Sequence, residues 1–188
     1  EGSTSLFNLA NNIQGVPVTL IGVSLVIASF PTLSRTHANG EHVEFRKVFY
    51  KTLKTITFWS LIASVGLFIL KDLVIHILLG KTSFDATSFN MIVATFGVFT
   101  LALIPQCVKM FITRGYYAVG DTKKPATLNI LATALTIGIA FSLYIQTQST
   151  STFTVEVLAV AFVTSSWVSG IVFYISARKN LLVTKISR

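Results

Sequence analysis

Five stretches of the chain are apolar almost without interruption, and charged residues gather in the segments between them. A helix needs about 20 mostly apolar residues to cross a bilayer core of about 30 Å, and the pattern predicts spans at 15–34, 55–79, 88–112, 126–146 and 154–177. The strict alternation of a barrel strand is absent, and in lipid the remaining way to satisfy every backbone N–H and C=O is a helix. Between the first two spans, Phe45, Val48, Phe49 and Thr52 fall at helical spacing against Arg46, Lys47, Lys51 and Lys54. This predicts an interfacial amphipathic helix over 41–54 that rests on anionic headgroups, a regulatory docking site being the alternative. Within the second span, Lys71, Asp72 and His76 follow a long apolar run. Either the crossing ends near Leu70 and the rest lies along the outer interface, or Lys71 and Asp72 form a buried pair.

Composition sharpens the class. Hydrophobic residues make up 52% of the 188 and charged residues 12%, whereas an ordinary soluble domain carries about a quarter charged residues. The formal charge of +8 points to nucleic acid or to membrane; the apolar runs choose membrane, and the basic turns lack the aromatic and glycine pattern of an RNA-binding segment. Arg35, Arg46, Lys47, Lys51 and Lys54, then Arg114, Lys123 and Lys124, then Arg178, Lys179, Lys185 and Arg188 alternate with the spans so that all fall on one side. That side is expected to be cytoplasmic, so the first span runs inward. An odd number of spans starting outside, in a chain that opens on Glu1, implies at least one helix upstream, and the chain is expected to be a piece of a longer protein.

Polar groups inside spans are costly in lipid and are the natural functional candidates. Lys109 follows Pro105 and Gln106 in the third span; it either snorkels to the cytoplasmic surface or lines a cavity opened where the proline frees backbone carbonyls. The first span is interrupted similarly: Asn8, Asn11, Asn12 and Gln14 precede Gly15 and Pro17, and amides bond a ligand without the desolvation cost of a charge. Gly22, Ser24, Ala28, Ser29, Ser165, Ser169 and Gly170 suit close helix packing. The single cysteine, Cys107, allows no internal disulfide, and His37, His42 and His76 have no partners at metal-ligand spacing. No catalytic residue, metal or cofactor is expected.

Two motifs and a shorter match carry a family resemblance. Gly2-Ser3-Thr4-Ser5-Leu6 through Ala10 and Pro17 to Phe30-Pro31-Thr32-Leu33-Ser34-Arg35 resembles the GSxSxLxxAxR, LPxxxxGxA and FPxLSR run of the MurJ/MviN family. Arg114-Gly115-Tyr116-Tyr117-Ala118-Val119-Gly120-Asp121-Thr122-Lys123-Lys124-Pro125 is similar to its RxFYAxxDTxTP, and Leu78-Leu79-Gly80 with Phe84 to its LFGxGxF loop. The resemblance implies an all-α polytopic membrane protein of the multidrug/oligosaccharidyl-lipid/polysaccharide exporter superfamily. This chain would supply about five helices of its C-terminal lobe, facing an N-terminal lobe across a cationic cavity. It further implies non-enzymatic, alternating-access flipping of lipid II, the undecaprenyl-diphosphate-linked peptidoglycan precursor, across the bacterial inner membrane. Asn12, Asn11, Gln106 and Lys109 would contact substrate, Arg35, Arg114, Asp121 and Lys123 would form a cytoplasmic gate, and Pro17 and Pro105 would be hinges. The sequence departs from the family where AxR places an arginine, because that position is Asn12, and Lys124 replaces the threonine of DTxTP. The family's sodium-type site is not carried over, since residues 126–177 offer only Asn129 and Glu156. The alternatives are an exporter of another polyprenyl-linked oligosaccharide and a non-transporting scaffold.

Overall fold

A computed structural model describes residues 2–79, 86–147 and 155–183. Glu1, the loop match at Gly80 and Phe84 with Lys81 and Asp85, the segment 148–154, and Lys185 and Arg188 in the tail lie outside the described residues. Within them every regular element is helical: α1 (Gly2–Pro17), a π-helical segment (Val18–Val23), α2 (Ser24–Ala38), α3 (His42–Ile69), α4 (Lys71–Leu79), α5 (Ala86–Thr100), α6 (Leu103–Ala118), α7 (Lys123–Thr147), α8 (Val155–Ala177) and a final π-helical turn (Arg178–Val183). Among the described residues four helical stretches are long and apolar enough to cross a membrane, and α5 and α6, bent by 44° at their break, pass the same test only when taken together.

Several boundaries move for physical reasons. The first crossing is longer than 15–34, because Asn8–Ala38 runs as one helical stretch. Pro17 has no N–H to donate and the register widens to π over Val18–Val23, which keeps the chain helical past the proline. The predicted interfacial helix over 41–54 is not a separate element resting on headgroups. It is the first half of α3, and its apolar face, Phe45, Phe49 and Leu53, is buried in the protein core. The Phe49 ring packs at a tilt against Phe111 of α6, with ring centroids 4.9 Å apart. The second span ends at Ile69, and Lys71 begins the short α4. Lys71 does not pair with Asp72 among the described residues; its ammonium lies 5.1 Å from the Phe68 ring centroid.

The core has two parts, one at each end of the bundle. Leu33, Phe45, Phe49, Phe111, Ile112, Tyr116 and Ala177 pack together near the turns that carry the cations. Ala10, Ile75, Ile92, Phe96, Phe99 and Ala159 pack at the other end. The ends of α2, α6 and α8 therefore share one side with the starts of α3 and α7. α7 lies outermost, leaving Ile130, Leu131, Ile137 and Phe141 exposed.

Candidate functional site

The break between α5 and α6 positions the site. Pro105 cannot donate to the carbonyl of Leu101, and its ring would crowd that carbonyl in a straight helix. The helix bends one turn before the proline. Two side chains from neighbouring helices take the exposed carbonyls: the Trp167 indole N–H of α8 donates to Leu101 O at 3.1 Å, and Ser64 Oγ of α3 donates to Thr100 O at 2.8 Å. α8 approaches so closely here that a Cβ on Gly170 would stand 2.9 Å from Pro105 Cβ. One turn beyond the break, Gln106 and Lys109 share a face of α6.

That face borders two cavities. The first, about 370 Å³, lies between α6, α7 and α8 and is lined by Gln106, Lys109, Thr133, Thr136, Ser165, Ser166 and Ser169 among others. Thr136 and Ser165 bridge α7 to α8 at 2.6 Å. The Lys109 ammonium stands 5.4 Å from the Phe173 ring centroid and, half-buried, has no acidic partner among the described residues. The second cavity, about 540 Å³, is lined by Asn11, Asn12, Gln14, Thr19 and Gln106 with Gly15, Val16 and Leu20. Gln14 is almost completely buried. The side-chain amide nitrogens of Gln14 and Gln106 meet no acceptor among the described residues. Buried amide donors without protein partners suit an oxygen-rich ligand, since leaving such groups unbonded costs about 1–3 kcal/mol each.

The structure thus brings Asn11, Asn12 and Gln106 together and places Lys109 in the adjoining cavity, with Gln106 lining both. Lys109 is the one cation among the residues lining either cavity. Pro17 sits at the start of the π-helical segment and Pro105 just after the 44° bend. Among the described residues Asp121 pairs with neither Arg35 nor Lys123 and turns instead to the start of α7. Asp121 Oδ1 accepts the Lys124 backbone N–H at 3.2 Å and Oδ2 lies 3.5 Å from Lys124 Nζ, which caps α7 and offsets its macrodipole. Gly120 makes this turn possible at φ +76°, a conformation that side chains disfavour. Arg35 and Lys123 are exposed, and the Arg114 guanidinium lies over Tyr117 at 5.7 Å.

Sequence reasoning missed the hydroxyl lining. Thr133 and Thr136 on one helix, and Ser165, Ser166 and Ser169 on another, were assigned to packing or passed over; their recurrence three and four residues apart was the signal that one face of each helix is polar. Tyr116 is buried and shares a 2.6 Å hydrogen bond with Ser176, so this motif tyrosine ties α6 to α8. Among the described residues no group of three or more His, Cys, Asp or Glu is placed to hold a metal.

Comparison with known proteins places these features in a family. The family profile described as lipid II flippase MurJ matches residues 1–187. A probable lipid II flippase MurJ of Rhizobium tropici is 26% identical over 144 residues, covering 77% of this chain and 27% of that protein. Its counterpart in Thermotoga maritima is 25% identical over 173 residues, covering 92% and 34%. The lipid II flippase MurJ of Burkholderia cenocepacia is 23% identical over 130 residues, covering 69% and 25%. A solved structure of lipid II flippase MurJ in an inward closed conformation superposes with a TM-score of 0.82 over 95% of this chain and 36% of its own, at 20% identity. The chain therefore spans between a quarter and about a third of the relatives named here.

Proposed function

Because the chain belongs to the lipid II flippase MurJ family, a family of multi-pass membrane transporters, we propose that it is part of the C-terminal lobe of a flippase. The cargo is a polyprenyl-diphosphate-linked peptidoglycan precursor, carried across the bacterial cytoplasmic membrane. The observation that supports this most is the gathering of uncommitted polar groups, Asn11, Asn12, Gln14, Gln106 and Lys109, beside the proline break of an otherwise apolar bundle. Such groups are expensive in a bilayer unless they meet a substrate or water.

No bond is made or broken in this reading. The Lys109 ammonium attracts a phosphate oxygen as a point charge, while the amides of Asn12, Gln14 and Gln106 donate to sugar, carbonyl or phosphate oxygens. An N-terminal lobe of the same protein forms the opposing wall, and Pro17 and Pro105 serve as the hinges about which this wall tilts as access alternates. Arg35, Arg114 and Lys123 line the cytoplasmic mouth, and Asp121 fixes the turn that precedes Lys123. A second reading is favoured by one residue: Asn12 stands where the family pattern has an arginine, and an amide lacks the fixed fork and permanent charge with which a guanidinium grips a diphosphate. This would suit a different polyprenyl-linked glycan.

Complementation separates the two. When the native lipid II flippase of a bacterium is depleted, the full-length protein is expected to restore growth, and Lys109→Ala is expected to lower plating efficiency about tenfold or more, the cost of a charge-assisted contact. Failure to rescue despite normal membrane expression, with rescue by Asn12→Arg, would favour the other glycan. Full rescue by Lys109→Ala would remove the cation from the mechanism.

A further inference from the structure

A third cavity, about 330 Å³, lies away from the two already described, between α2 and the first half of α3. Its lining divides into two chemistries. Leu25, Ala28 and Val48 are apolar, and Ser29, Thr32, Lys51, Thr52 and Thr55 are polar. Ser29 and Thr55 spend their hydroxyl protons on their own helices, donating to Val26 O and Lys51 O. The hydroxyls of Thr32 and Thr52 donate to nothing among the described residues, and neither does the Lys51 ammonium pair with an acid there. The neighbouring Lys47, one turn earlier on the same stripe, is engaged by Glu44 at 3.7 Å.

The depth of this groove matters as much as its lining. α3 has 28 residues and is about 42 Å long, some 12 Å more than the hydrocarbon core. Counting about 20 residues back from its break at Leu70 sets the lipid boundary near Lys51. Lys51 and Thr52 thus lie at headgroup level on the basic side, with Thr55 about one turn inside it and with Arg35, Arg46 and Lys54 exposed around the groove. Ala28 and Leu25, about one and two turns deeper on α2 than Thr32, lie at the level of acyl chains.

We propose that this groove is a binding site for one anionic phospholipid of the cytoplasmic leaflet. The phosphate is held by the Lys51 ammonium with the Thr32 and Thr52 hydroxyls, and the glycerol and first acyl carbons lie over Ala28 and Leu25. Charge complementarity and depth choose this occupant: a soluble anion has no use for the apolar floor, and a helix of another protein has no use for three phosphate donors at its rim. The site is separate from the cavities at Gln106 and does not depend on what the protein transports.

Native mass spectrometry of the full-length protein, released from nanodiscs of equal parts phosphatidylglycerol and phosphatidylcholine, tests the proposal. The unsubstituted protein is expected to retain one phosphatidylglycerol. Lys51→Ala with Thr52→Val should reduce that occupancy about fivefold, the factor one interfacial lysine contributes; Lys51→Arg should keep it. Lys54→Ala removes the same charge one turn away, beyond the groove lining, and should leave occupancy unchanged. Excess inorganic phosphate should not displace the lipid. Equal losses in Lys51→Ala and Lys54→Ala would reduce the effect to diffuse attraction between the basic face and the membrane. Absence of retained lipid in the unsubstituted protein, or displacement by phosphate, would overturn the site.

Discussion

Pro105 does at residue scale what no apolar residue at that position does: it releases the Leu101 carbonyl from the helix while making α6 start afresh. In a bilayer a released carbonyl needs a partner, and Trp167 supplies one from α8 while Ser64 supplies another for Thr100 from α3. The bend is thus fixed by two hydrogen bonds from different helices as well as by the proline ring. Trp167→Phe keeps most of the ring and deletes the donor. It is expected to lower stability by about 1 kcal/mol, the usual net worth of such a bond in water or membrane, read as an earlier unfolding midpoint in a detergent thermal melt. Adding Pro105→Ala to that variant should recover stability, since alanine restores the N–H that Leu101 lost. If Trp167→Phe melts at the same temperature as the unsubstituted protein, the indole contact carries no energy and the bend rests on the proline alone.

At the scale of elements, α3 and α6 meet where Gly115 faces Phe49: a Cβ at Gly115 would stand 2.6 Å from Phe49 Cε2, too close for both to keep their places. Gly115→Ala is expected to destabilise by about 1–3 kcal/mol through overpacking, and Phe49→Leu in the same protein should relieve part of the loss, a coupling that a double-mutant cycle measures. Independent, additive losses would mean that the helices do not meet as closely as described. This contact also explains where sequence reading reached its limit. Spans, their number and the bend after Thr100 follow from apolar run length and from Pro105, because lipid leaves the backbone few choices. Phe45, Phe49 and Lys51 have the spacing of a helix lying on a membrane, and periodicity cannot say whether its apolar face meets lipid or protein; the Gly115 and Phe111 surfaces on a distant segment decided for protein. The site was legible in the same partial way. Asn11, Asn12, Gln106 and Lys109 stand out as polar residues in apolar runs, whereas Thr133, Thr136 and Ser165 look like ordinary small residues until α7 and α8 are set side by side. Asp121 was recognisable in its motif, but its service to Lys124 rather than to Arg35 depends on the turn at Gly120.

Across the whole molecule the charges sort by end. Arg35, Arg46, Lys47, Lys51, Lys54, Arg114, Lys123, Lys124, Arg178 and Lys179 all flank the ends of α2, α3, α6, α7 and α8 that pack around Phe49 and Tyr116. At the other end of the bundle the described cation is Lys71, folded against Phe68. Glu41, Glu44 and Asp121 share the basic end, but acids weigh little in setting orientation, which follows Lys and Arg in short loops. The basic end is therefore expected to face the cytoplasm. A reporter fused after Lys124 in the full-length protein should read cytoplasmic, and one fused after Thr150, which follows α7 in the chain, external. The two positions must disagree whatever the orientation, because α7 crosses once between them; agreement would mean that α7 does not span. The reversed pair of readings would keep the fold and invert the protein. Lys51 and its groove would then open to the outer leaflet, and Arg35, Arg114 and Lys123 would stand at an external mouth rather than at a cytoplasmic gate.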